Sequence, residues 1–137
     1  MIKDIKEKII TLFEELEDIV AIYDFPVGND ITGYPYIVVN WVSQQAIELT
    51  NKQDMVTDVY EIKLVQEKLE QFKGRKEAEE ITIERTEEIL DLFRENYKLE
   101  GLVLKTLPIS TNKNYDEGST RIIVTILIQT ERTVDII

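Results

Sequence analysis

Ser119–Thr133, STRIIVTILIQTERT, is the stretch that decides how this chain folds. From Arg121 to Thr130 every second residue (Ile122, Val124, Ile126, Ile128) is β-branched and apolar, a period of two that predicts a strand. The alternate face carries Arg121, Ile123, Thr125, Leu127 and Gln129 and is mixed rather than polar. A strand with one wholly apolar and one half-apolar face belongs in the middle of a sheet, under helices on one side and under partial cover on the other. Nothing in it suits catalysis.

Thr111–Gly118 (TNKNYDEG) reads as the turn-rich tip of a hairpin whose first arm, Leu102–Leu107, ends at Pro108. Residues 2–17 set Ile2, Ile5, Ile9, Leu12, Phe13 and Leu16 at steps of three and four, an amphipathic helix. Its polar side mixes Lys and Glu, unlike the basic face of a membrane-surface helix. Glu77–Lys98 predicts a second helix, buried through Thr86, Ile89, Leu90, Phe93 and Tyr97 and acidic outside, with Gly101 as its stop. Ile19–Tyr23, Tyr36–Gln44 and Thr57–Gln66 read as strands, the last with Tyr60, Ile62 and Leu64 inward and Glu61 and Lys63 outward. Trp41, in phase with Ile37 and Val39, reads as a core anchor ahead of an interface hot spot, since Trp serves both. Polar Ala46–Met55 reads as a connection, with strand character at its start as the alternative. Asp24–Pro35 (DFPVGNDITGYP) is a loop whose Phe25, Val27, Ile31 and Tyr34 either tuck onto the core or offer a contact surface. The apolar tail Val134–Ile137 could lie on a neighbour. The expected fold is therefore one α+β domain over residues 1–137. It has a mostly antiparallel sheet of four or five strands, two helices on one face, and the order α-β-β(-β)-α-β-β.

Composition bounds the function. With no Cys there is no thiol nucleophile or thiolate metal site, and with no His the commonest general base and transition-metal ligand is missing. A net charge of −11 opposes binding to a phosphate backbone, though not the passage of DNA along a weakly interacting surface. No apolar run approaches the ~20 residues that span a bilayer. The charged N-terminus lacks the apolar centre of a signal peptide, so the chain is expected to stay where it is made.

Three constellations invite chemistry. Asp58 with Glu61-x-Lys63 has the residue types of a Mg²⁺-dependent nuclease, but alternating charge on the solvent side of a strand explains it. Asn112-x-Asn114-x-Asp116-x-Gly118 spaces oxygen ligands as calcium loops do, yet its glycine comes one place late and Ile123 stands where the closing Glu belongs. Lys73-Gly74-Arg75-Lys76 is basic but lacks phosphate-loop spacing, and suits a solvated loop or an acidic face of another copy. No catalytic, cofactor or metal residues are assigned.

Three stretches carry a family resemblance. They are the first helix leading through the Gly/Pro loop into TGYPYIVVN (32–40), DVYEIKLVQE (58–67) with KEAEEITIERTEEILDLF (76–93), and GSTRIIVTILIQTE (118–131). Together they resemble the phage tail-terminator or tail-completion family, whose layout small ring proteins of the tube and neck share. The resemblance implies a six-fold ring that caps the tail tube of a long-tailed phage, docks the head connector and lets DNA pass without specific binding. It implies a virion protein of the tail or neck, assembled in the host cytoplasm, with no enzymatic activity, no cofactor and no membrane. On that expectation Phe25, Tyr34, Tyr115, Ile123 and Leu127 are candidate subunit or partner contacts, and Glu84, Glu87 and Asp91 are candidate conduit-facing acids. The competing readings are another neck or tail-tube-like ring protein of a phage or prophage, and a bacterial α+β binding module without a viral role or enzymatic activity.

Overall fold

A computed structural model describes residues 1–27, 33–68, 74–116 and 121–136. Its elements are α1 (Ile2–Phe13), β1 (Ala21–Tyr23), β2 (Tyr36–Thr50), β3 (Gln53–Lys68), α2 (Arg75–Glu95), a 3₁₀ turn (Leu99–Gly101), β4 (Lys105–Asp116) and β5 (Arg121–Asp135). They form an α+β fold around one five-stranded sheet of order β1-β2-β3-β5-β4.

The strand read first is central, between β3 and β4. Its in-phase residues Ile122, Val124, Ile126 and Ile128 are buried, and the phase continues through a fully buried Thr130. Both helices lie against that face. Ile5, Ile9, Leu12 and Phe13 of α1 and Ile89 and Phe93 of α2 join Ile37, Val39, Tyr60, Ile62, Leu64 and the β5 residues in one core. Phe13 and Phe93 meet edge to face at 5.6 Å and tie the helices together. Among the described residues the other face has a small cover, in which Val27 and Tyr34 with Ala21 and Tyr23 pack on Tyr36, Val38, Val65 and Ile123.

Several boundaries differ from the sequence reading, each for a physical reason. β1 pairs parallel to β2, not antiparallel, because residues 24–35 between them are long enough to carry the chain back. The α1 pattern runs to Leu16, but after Phe13 the backbone tightens to i→i−3 bonds, Leu16 N–H to Phe13 C=O at 3.0 Å. α2 ends at Glu95, where the Asn96 amide side chain donates to the Leu92 carbonyl at 2.9 Å. Tyr97 therefore lies past the helix and is exposed, and the buried stripe gains Ala78 and Thr82 instead. β4 runs straight through Pro108, since an edge strand tolerates a missing donor and a bulge follows between Pro108 and Ser110. Asn112 and Asn114 are thus strand residues, paired with Thr125 and Ile123, and form no calcium loop. Gly118, Ile31 and Lys73 lie outside the described residues.

The largest departure is Ala46–Met55. In place of a connection, β2 and β3 continue as one hairpin that turns at Asn51-Lys52, with Thr50 opposite Gln53. β5 pairs along it as far as Asp135. The result is a three-stranded arm reaching beyond the helices. Every residue from Trp41 to Thr50 is exposed, so no buried face imposed an apolar period there.

Candidate functional site

The arm leaves the body at a cluster built on the helix side of the sheet. Alternation along β3 turns Asp58 to the same side as Tyr60, Ile62 and Leu64, and the Asp58 residue is fully buried. Cross-strand register sets Asp58 against Gln44 of β2 and Thr130 of β5. The carboxylate accepts the Trp41 indole N–H at 3.2 Å and the Gln44 amide at 2.9 Å on Oδ1, and the Arg132 Nε–H at 3.2 Å on Oδ2. One carboxylate thus holds side chains of all three arm strands together. Trp41 is no core anchor: it stands beside a bulge between Trp41 and Ser43, partly exposed, with its indole N–H spent on Asp58.

Below it, buried Tyr60 has its hydroxyl 3.5 Å from the Ile2 carbonyl of α1. Burial, reinforced by the Asp58 charge and opposed by Arg132, pushes the Tyr60 phenol well above its ordinary value of 10.0. A phenol whose folded value is raised keeps its stabilising contribution below pH 10.0 and loses it as pH climbs further. Thermal unfolding across that range should therefore show an alkaline fall in Tm that Tyr60→Phe reduces. An unchanged profile in the variant would refute the assignment.

A second cluster occupies the corner of the open face. Tyr23 packs edge to face on Phe25 at 6.1 Å and on Tyr36 at 5.6 Å, and Tyr34 lies 5.6 Å from Tyr36. Arg121 stacks over the Tyr34 ring at 5.2 Å and donates to its hydroxyl. A third ties β4 to α2, where Tyr115 and Lys113 donate to the two Glu79 carboxylate oxygens and Arg75 stacks on the Tyr115 ring at 5.3 Å.

The structure divides the residues singled out by sequence. Phe25, Tyr34 and Ile123 gather at the aromatic corner, with Phe25 the exposed member. Leu127 lies on the same open face but further along, opposite Glu61. Tyr115 is on the other side of the sheet, against α2, so the five do not form one patch. Glu84, Glu87 and Asp91 are all exposed on α2, with Asp91 accepting from Arg94 at 2.8 Å. The nuclease-like set is split by strand alternation. Asp58 is spent on the helix side, whereas Glu61 and Lys63 lie on the open face 3.7 Å apart.

The Asp58–Arg132 pair was missed although its signal was present. Asp58 is in phase with Tyr60, Ile62 and Leu64, and Arg132 with the apolar residues of β5. Opposite charges continuing two buried faces are candidates for a cross-strand pair. Among known proteins, neither a family model nor a curated protein matches this chain.

Proposed function

We propose that this chain is a structural subunit of a ring at the junction of tail tube and head in a long-tailed phage, ending the tube and docking the head connector. The observation that carries the reading is the arm, a ten-residue exposed β2 segment tied at its root by hydrogen bonds from Trp41 and Gln44 to Asp58, which is itself paired with Arg132 of β5. It presents extended main chain and apolar side chains at a set angle, which suits assembly with other chains. The element order α-β-β-β-α-β-β and the single helix-covered face are the layout that the resemblance implies. Phe25, Tyr34 and Ile123 at the aromatic corner, and Leu127 and Tyr115 elsewhere, are contacts for neighbouring subunits or partners. The acidic α2 surface lines or flanks the channel through which DNA passes unbound.

The test is purified protein with isolated tail tubes, imaged by negative-stain electron microscopy and weighed by light scattering. Six-fold rings, or caps at one tube end that stop growth, are expected. A monomer that ignores tubes would leave the binding-module reading in its place. Reversing Glu84, Glu87 and Asp91 together to Lys should lower the yield of infectious particles through failed DNA passage or ring closure. Unchanged titres would remove α2 from the channel.

A further inference from the structure

The sheet has two unequal open edges. On one side β1 pairs only with Tyr36–Val38, and no described strand lies beside β2 beyond that point. Residues 41–50 have little of the usual protection of an edge: no proline, Glu48 as the one charged residue, two irregularities in the pairing with β3, and exposed Trp41, Val42, Ile47 and Leu49. On the other side β4 is the last strand and exposes Leu107 and Ile109, with Leu104 exposed just before it.

One bulge on each edge lies at the same level, and β2 carries a second register shift nearer the hairpin turn, between Glu48 and Thr50. Trp41 pairs with Tyr60, Tyr60 with Ile128, and Ile128 with Pro108. The bulge on β2 follows Trp41 and leaves Val42 unpaired; the bulge on β4 follows Pro108 and leaves Ile109 unpaired. Both extra residues are apolar and about half exposed, 48% and 46%. The directions also agree. β2, β3, β5 and β4 alternate, so β2 and β4 run opposite ways. A copy rotated about an axis along the strands brings its β4 antiparallel to β2 of the next, at equal height, as a closed ring requires.

We infer that the β2 edge of one copy pairs with the β4 edge of the next, Val42 meeting Ile109, so that the sheets join head to tail around the ring. Pairing of like edges is disfavoured on the β4 side. An antiparallel β4–β4 pair centred on Ile109 sets Lys105 against Lys113 twice and doubles the proline defect. A β2–β2 pair would leave the exposed leucine and isoleucine of β4 uncovered.

The inference deepens the ring reading, and the cysteine-free chain makes it testable by engineered disulfides. Val42→Cys and Ile109→Cys variants, each confirmed folded by circular dichroism, are oxidised alone and mixed. A mixed dimer, absent from either variant alone, is expected, together with a ladder of covalent multimers from the double variant. Self-dimers of Val42→Cys, or no mixed dimer at any concentration or on tube ends, overturn the inference. Tube capping without mixed dimers would keep the ring reading and remove this edge pairing. A ladder without tube capping would do the reverse. As an independent arm, Leu107→Lys with Ile109→Lys, both exposed on the β4 edge, should abolish multimers while leaving the monomer folded; persistence of multimers counts against the inference.

Discussion

Asp58→Ala is expected to destabilise the fold by about 3–5 kcal/mol, the range for removing one partner of a buried ion pair. The size follows from what remains. Arg132, with a side chain 14% exposed, would keep its charge without its carboxylate, and the Trp41 and Gln44 donors would lose their acceptor. Asp58→Asn should cost less, because the amide oxygen still accepts from Trp41 and Gln44 while the ionic part is gone. Asp58→Ala with Arg132→Met should recover the part of the loss that comes from the unpaired Arg132 charge, while the Trp41 and Gln44 donors still lack their acceptor. Urea unfolding followed by the single tryptophan, which touches the site, measures all three. A loss below about 1 kcal/mol for Asp58→Ala would place the pair with ordinary surface ion pairs. Hydrogen exchange should show where the stability goes, with protection falling in 43–57 and 130–135 before the helices are affected.

Phe93→Ala should cost about 3–5 kcal/mol, the usual range for removing a buried aromatic ring. Phe93 is fully buried and meets Phe13 edge to face, so it joins α2 to α1 as well as to the sheet. Its loss opens a cavity between three elements, none of which can collapse without moving another. Since domains of this size are stable by only about 5–15 kcal/mol, the variant should unfold at far lower urea, and Phe93→Leu should fall between. Phe13→Ala should behave alike, and the double variant should lose less than the sum because the two share one contact. A strictly additive double variant would show that the rings act separately.

The body of this fold was legible in its sequence because burial leaves a period. β5 alternates over Ile122–Ile128 and is buried on that phase, and α1 repeats at three and four and packs on that stripe. The arm was not legible for the same reason. No described helix lies over Trp41–Thr50, so no alternation was required, and the polar residues from Ala46 onward resembled a connection. Pro108 misled by a general rule, since proline breaks interior strands but not an edge. Of the candidate site, the aromatic corner could be anticipated from Phe25 and Tyr34, which supply apolar surface in a turn-rich loop. That Tyr115 belongs to the other side depended on where β4 ended, a position hidden by the polar run after Thr111.

The arm is also a lever. From Trp41 to Thr50 it extends roughly 30 Å at about 3.3 Å per residue, and its bearing is the bulge beside Asp58. A rotation of about a tenth of a radian there carries the hairpin tip about 3 Å, the full length of a hydrogen bond. Misalignment at the root is thus multiplied before it reaches any partner, and the buried carboxylate there, together with the β3–β5 ladder that runs unbroken along the arm, sets the aim of the whole projection.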